Sequence, residues 1–159
     1  MKFFTDAFYD RNTPYEDIKG TFESYKRHME ILRDRMPAKA FEFASASWHY
    51  DDGTIGLHDS WIESVVLREI AEGEHREIRS LEIDVELLGA YHDRVINLHY
   101  TGVREYDLSK QSETHGHGDW LTDEFDLTDE GLVIHEVHFA NGGSWRIVCK
   151  DVEFSERQL

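Results

Sequence analysis

The chain has 159 residues, of which 33 are Asp or Glu and 17 are Lys or Arg, so its formal net charge is −16. This charge repels phosphate backbones and argues against direct binding of DNA or RNA. No apolar run approaches the about 20 residues that a membrane-spanning helix needs, and the polar, acidic N-terminus does not look like a secretory signal. We therefore expect one cytoplasmic domain over residues 1–159, helical at about 13–47 and rich in β-strands at about 61–155.

The first predicted element is a long amphipathic helix from about Pro14 to Met36. The sequence Thr13-Pro14-Tyr15-Glu16 is typical of a capping box, in which the threonine hydroxyl and the glutamate side chain each bind a backbone amide. Six apolar residues then recur at spacings of four and three, which places them on one stripe: Ile18, Phe22, Tyr25, Met29, Leu32 and Met36. We expect this stripe to pack on the domain's own sheet, with a dimeric coiled coil as the alternative.

Pro37 ends the first helix, and residues 38–47 predict a second, short one. From Trp61 onward the apolar residues recur with a period of two, which indicates β-strands. The alternation is strict over residues 81–87, so one face should be buried while Glu82, Asp84 and Glu86 point into water.

Similar alternation predicts strands at residues 62–70, 94–104, 120–127, 132–140 and 145–154. The clearest hairpin turn is Asn141-Gly142-Gly143, because Asn and Gly tolerate the positive φ of tight turns. Short connections favour antiparallel neighbours. The predicted fold class is α+β, with an N-terminal amphipathic helix packed on a mainly antiparallel, meander-like β-sheet of about six strands.

Ten histidines make a metal site worth testing. Residues 115–119, His-Gly-His-Gly-Asp, place two imidazoles and a carboxylate in a glycine-spaced loop, and Zn²⁺ and similar cations prefer such ligands. His115, His117 and Asp119 are therefore the candidate metal ligands, and an exposed polar loop without a metal is the alternative. A further ligand would come from His58, His135 or His138. His135 and His138 are three residues apart in a predicted strand, so they should face opposite sides.

Other reactive residues give weaker signals. Asp59 could orient the imidazole of His58, or both side chains could satisfy backbone groups where the chain enters the sheet. The sequence has no Gly-x-Ser-x-Gly, phosphate-binding loop, His-Glu-x-x-His or Cys-x-x-Cys motif. The single cysteine, Cys149, lies in an apolar run and is expected to be a small core residue. Core or strand packing is also expected for the four tryptophans, Trp48, Trp61, Trp120 and Trp145.

Several short segments together resemble a family of uncharacterised bacterial cytoplasmic proteins that carry a domain of unknown function. The matching segments are Met1-Lys2-Phe3-Phe4-Thr5, Leu57-His58-Asp59, Gly118-Asp119-Trp120, Ile134-His135-Glu136-Val137-His138-Phe139 and Val148 to Phe154. The resemblance implies a small, acidic, cytoplasmic bacterial protein without an assigned reaction. It supplies no catalytic residues.

The charge and the missing catalytic motifs favour a binding protein over an enzyme. Acidic side chains on a sheet face or loop would complement a basic protein, such as a nuclease toxin whose nucleic-acid site they would cover. We therefore expect a small, acidic, non-enzymatic protein-binding domain, immunity-like, with a basic protein partner and no nucleic acid, membrane or cofactor. The alternatives are a metal-dependent hydrolase at the histidine and carboxylate residues and an oligomer formed through the Tyr25, Met29 and Leu32 stripe. Solubility or adaptation to high salt would also account for the acidity.

Overall fold

The computed structural model describes residues 1–5, 8, 12–50, 55–111 and 116–159. Two helices, α1 (Tyr15–Leu32) and α2 (Ala38–Ala44), precede the strands of this described part. The strands are β1 (Trp61–Glu72), β2 (Ile78–Leu88), β3 (Arg94–Thr101), β4 (Glu105–Leu108), β5 (Trp120–Leu127), β6 (Val133–Phe139), β7 (Ser144–Cys149) and β8 (Asp151–Gln158). Every strand pairing between them is antiparallel. The predicted α+β class, with an N-terminal helix packed on an antiparallel sheet, is confirmed.

The eight strands form two sheets rather than one sheet of about six strands. Sheet A has the order β1-β2-β3-β8, and sheet B has the order β4-β7-β6-β5. Two long strands pass from one sheet to the other: β3 bends into β4 at Gly102, and β7 bends into β8 at Lys150. Gly102 has a φ of 58°, which a residue without a side chain adopts readily. The predicted strands at 94–104 and 145–154 each contain one of these bends, which is why the strand number rises.

The predicted meander is observed separately in the first half of the β-rich segment, β1 to β4, and in the second half, β5 to β8. β1, β2 and β3 are neighbours in chain order, and so are β5, β6 and β7. The two halves join where β3 pairs with β8 and β4 pairs with β7. The chain therefore passes from β4 to the far edge of sheet B before the second half begins.

Helix α1 buries the predicted stripe inside this chain. It starts at Tyr15, with Pro14 at the N-cap position, and it ends at Leu32, before the predicted Met36. Tyr25, Met29, Leu32 and Met36 are buried, whereas Ile18 and Phe22 are partly buried. The stripe is thus part of the core of the chain itself. Neither helix in the described ranges has both the length and the apolar character that a membrane crossing requires.

The alternation predicted in β2 is also observed. Ile83, Val85 and Leu87 are fully buried, and the three acids between and beside them are partly exposed on the outer face. The hairpin between β6 and β7 turns at Gly142, where φ is 84°. Cys149 is buried, as predicted.

The four tryptophans differ in burial. Trp120 and Trp145 are buried and Trp48 is partly buried. Trp61 is 49% exposed at the start of β1, and its ring packs on His92 with 4.5 Å between the ring centroids.

The helices cover one edge of each sheet. Along β8, Ala40 of α2 donates its amide to the Asp151 carboxylate at 3.2 Å. Along β5, the Tyr25 hydroxyl of α1 accepts the amide of Phe125 at 2.8 Å. These contacts place α1 and α2 over the space between the β5 and β8 edges, where the aromatic core and the polar cluster described below are found.

Candidate functional site

The structure describes two of the three predicted metal ligands. His115 lies outside the described residues. The His117 ring packs against Phe139 and Trp145, and its buried Nδ1 has no hydrogen-bond partner among the described residues. Burial, together with the positive charge of Lys110, lowers the pKa of His117 below its ordinary value. Within the described ranges no group of three or more His, Cys, Asp or Glu side chains is arranged to hold a metal. The metal site therefore stays a prediction that depends on His115.

Asp119 is separated from His117 by Gly118, which has a φ of 82°. Its backbone carbonyl accepts the amide of Ala140 at 2.9 Å, and its side chain is only partly buried. The loop is therefore fixed to the end of β6 just before β5 begins.

His58 combines the two roles considered from the sequence. Its Nδ1 lies 2.8 Å from the carbonyl oxygen of Leu121, which it binds as a donor, and its Nε2 lies 3.5 Å from the Asp59 carboxylate. Asp59 has a φ of 62°, a left-handed conformation that the sharp turn before β1 requires. The imidazole is 44% exposed, so its main contact is a structural bond to the backbone.

His135 and His138 face opposite sides of β6, as predicted. His138 is partly exposed, whereas the His135 side chain is fully buried. Both ring nitrogens of His135 already have protein partners, namely the Tyr100 hydroxyl and the Asp123 carboxylate. Both ring nitrogens of His135 are therefore hydrogen-bonded within the core, and neither is directed to the loop at residues 116–119.

Asp123 is the centre of a polar cluster that was not among the sites predicted from the sequence. It lies on β5 and shares the inner face of that strand with Phe125, and it is 2% exposed. Its Oδ2 is 2.7 Å from His49 Nε2 and 2.9 Å from His135 Nε2, and its Oδ1 accepts the Trp120 indole N–H at 3.1 Å. Three donors thus satisfy one buried carboxylate, as burial of a charge requires.

The hydrogen bonds of His135 fix which of its nitrogens holds the proton. Burial raises the pKa of Tyr100 well above its ordinary value, so the hydroxyl keeps its proton and donates it to His135 Nδ1 at 2.8 Å. His135 then carries its own proton on Nε2 and donates it to Asp123. Burial also lowers the pKa of His135, which agrees with a neutral ring.

His49 differs from His135 because both of its nitrogens face acceptors. Nδ1 lies 3.0 Å from the Phe43 carbonyl oxygen, and Nε2 lies 2.7 Å from Asp123. His49 therefore binds the buried Asp123 carboxylate through Nε2, while its Nδ1 faces a backbone carbonyl of α2. Burial alone would raise the pKa of Asp123, but the electrostatic effect of His49 and the hydrogen bonds from His135 and His49 hold it below its ordinary value.

A cavity of about 240 Å³ lies beside this cluster. Its wall is mostly apolar, and it includes Phe8, Ile18, Phe22, His49, Tyr50, His58, Trp120, Leu121, Thr122 and Asp123. The His49 and Asp123 side chains are 0% and 2% exposed, and the polar atoms of both side chains are hydrogen-bonded within the protein. The arrangement therefore ties the segment after α2 to β5 and β6.

Other acids of the β5–β6 hairpin hold the N-terminal segment. The buried Glu124 carboxylate accepts the amides of Phe3 at 2.9 Å and Phe4 at 3.0 Å, and it also contacts the amide of Lys2. Glu136, its cross-strand neighbour, lies 2.8 Å from the α-amino nitrogen of Met1. These acids are structural, so they add little to the exposed acidic surface.

One end of sheet A is the β1–β2 ribbon, which we define as residues 61–88. β3 pairs with β2 only from Ile83 to Leu88, so no third strand of the described part of the chain pairs with the outer part of the hairpin, residues 68–82. Residues 61–82 contain six glutamates and three arginines. Four large apolar side chains of the ribbon are exposed by 39–57%: Trp61, Val66, Leu67 and Ile78. Val66 and Leu67 are consecutive residues and face opposite sides of the strand, so the exposed apolar side chains are spread along both faces of the ribbon.

Two comparisons with known proteins bear on this chain. No protein-family model matches the sequence. No curated protein matches it either. The resemblance to a bacterial family of unknown function therefore stays a prediction.

Proposed function

We propose that this chain is a small, acidic, non-enzymatic protein-binding domain, immunity-like, that binds a basic protein. The observation that supports the proposal is an imbalance on the surface. Many exposed acids have no cationic partner among the described residues, whereas several of the few cations are already paired with acids.

The cations illustrate this imbalance. Arg33 pairs with Glu30, Arg79 with Glu69 and Arg146 with Glu105, at 2.7, 3.4 and 2.8 Å. Arg94 and Lys39 likewise lie 2.6 Å from Glu156 and Glu153. In contrast, the following exposed acids form no ion pair in the described part of the chain: Glu16, Asp17, Glu63, Glu72, Glu74, Asp129 and Glu130.

Unpaired surface acids produce a negative potential that extends into solvent. Such a field speeds the approach of a positively charged partner and disfavours nucleic acids and acidic proteins. Neutralising the acids in a complex would also relieve the repulsion within this chain, whose net charge is −16. Both effects weaken as salt screens the charges.

The test is capture of a partner from a lysate of the source organism at two salt concentrations. At about 0.1 M salt the screening length is about 10 Å, and at about 1 M it is about 3 Å. We expect a protein of high isoelectric point to be captured at the lower concentration and released at the higher one. A neighbouring gene that encodes a basic secreted nuclease would support the same conclusion. If no charge-dependent partner appears at either concentration, the proposal is wrong.

A further inference from the structure

We propose that the free edge of β1 binds an extended segment of the basic partner, which adds a fifth strand to sheet A. This inference rests on the proposed function and specifies its surface. Addition of a strand to a sheet edge supplies main-chain hydrogen bonds for affinity, and alternate side chains supply specificity.

The first argument is that β1 is the long edge left uncovered. β8, the other edge of sheet A, is lined by α2, and β5 in sheet B is lined by α1. β4, the remaining edge, has only four residues. β1 has twelve residues, and no strand pairs with its outer side among the described residues. Its free amides and carbonyls therefore form a long template for another strand.

The second argument is the pattern of side chains along this edge. Val66 and Leu67 are 39% and 41% exposed at its middle. Glu63 and Glu72 are exposed towards its two ends and form no ion pair among the described residues. Arg68, the one cation on β1, is already bound to Asp84 across the ribbon. The edge thus offers an acid, an apolar centre and a second acid, which suits an apolar strand with a basic residue at each end.

The third argument concerns the choice between a basic segment and a second copy of this chain. Pairing two copies through β1 would bring together two molecules that each carry a net charge of −16. A basic segment reduces the repulsion that a second copy would increase. The charge therefore selects the basic segment as the occupant.

The experiment uses the whole chain and a synthetic ten-residue probe, Lys-Val-Thr-Val-Thr-Val-Thr-Val-Thr-Lys, capped at both ends. Binding is measured by titration, and its position by hydrogen exchange of the backbone amides. We expect slower exchange in residues 61–72 when the probe is bound. A probe with Glu in place of both Lys residues should not bind.

Two double variants change the net charge by the same amount at different places. They separate the effect of local contacts on β1 from the effect of the electrostatic field of the whole chain. Glu63→Lys with Glu72→Lys changes the ribbon edge, and Asp129→Lys with Glu130→Lys changes the exposed turn between β5 and β6. We expect the first pair to weaken binding of the probe about tenfold and the second by no more than about twofold, since cross-strand charge pairs act locally. Circular dichroism of both variants verifies that they remain folded.

Each alternative outcome is distinct. If the probe binds without slowing exchange in β1, or if both double variants weaken it equally, the edge inference is wrong while the acidic binding function stands. If the probe does not bind, the edge inference is also wrong, and the capture experiment decides the function separately. If β1 amides are protected without the probe and light scattering shows a dimer, a second copy occupies the edge and the basic segment is excluded.

Discussion

His49 Nε2 lies 2.7 Å from the Asp123 carboxylate, although the two residues are 74 positions apart in the chain. The same carboxylate oxygen accepts a hydrogen bond from His135 of the neighbouring strand β6. This shared oxygen joins the segment that follows α2 to both strands of the β5–β6 hairpin. Because the cluster is buried, each group depends on the others for its hydrogen bonds.

Replacing Asp123 should destabilise the fold severely. Asp123→Ala removes the acceptor that His49, His135 and Trp120 share, and each buried donor left without a partner costs about 1–3 kcal/mol. The free energy of unfolding in urea measures the loss. The matched control is Asp129→Ala at an exposed site, where we expect a change within about 0.5 kcal/mol. Equal stabilities for the two variants would show that the cluster is not structural.

The stability should decrease as the pH falls below about 7, where an ordinary histidine begins to bind a proton. Burial lowers the pKa of His135 from its ordinary 6.5, so in this range the unfolded chain binds a proton that the folded chain does not. The free energy of unfolding then falls by up to about 1.4 kcal/mol for each pH unit. The pKa of Asp123 is also lowered, because the effect of His49 and His135 outweighs that of burial. The free energy of unfolding therefore decreases further when the pH falls low enough to protonate Asp123.

Urea unfolding between pH 5 and pH 8 tests this dependence. His135→Gln should flatten the slope because it removes the titrating group, whatever its effect on the absolute stability. His75→Gln, in the exposed turn between β1 and β2, should leave the slope unchanged. A wild-type protein with constant stability over this range would contradict the assignment of a neutral, buried His135.

The hydrogen bonds that Glu124 accepts should hold the N-terminal segment in place. Glu124→Ala removes the acceptor of the Phe3 and Phe4 amides, and a buried amide left without a partner costs about 1–3 kcal/mol. We expect faster hydrogen exchange at both amides together with lower stability. Glu130→Ala, an exposed change on the same hairpin, is the control. Unchanged exchange at Phe3 and Phe4 in Glu124→Ala would show that other contacts hold the segment.

Cys149 should be unreactive in the native protein. Burial raises the pKa of its thiol to about 12, so almost no thiolate is present at neutral pH, and thiolate is the reactive form. An aromatic disulfide reagent at pH 8 should label the protein slowly in buffer and rapidly in concentrated urea. Fast labelling of the native protein would mean that the strand around Cys149 opens readily.

Local periodicity made much of the fold predictable. The three-and-four spacing of the α1 stripe and the strict alternation around Ile83 each need only a few consecutive residues to be recognised, and both match the structure. The opposite orientations of His135 and His138 follow from the same strand geometry. The helices and most strand positions could therefore be read from the sequence.

The bends and the polar cluster were not predictable in this way. Gly102 and Lys150 lie inside runs that read as single strands, and only the pairing of β3 with β8 and β4 with β7 shows where each run changes sheet. Asp123 did leave a sequence signal, because it shares the face of Phe125 in an alternating strand. An acid on an apolar face indicates a buried partner, but it does not say which one.

Composition and short-range periodicity are enough to specify the α+β class, the amphipathic helix, the antiparallel strands and the large excess of negative charge, because each of these depends only on neighbouring residues or on residue counts. The packing of the folded chain, in contrast, brings Asp123 to His49 and His135 and Glu124 to the N-terminal amides, and it leaves the outer side of β1 unpaired among the described residues. These features arise from contacts between residues far apart in the chain. Their positions are fixed by how the two sheets and the helices pack, which no local pattern specifies.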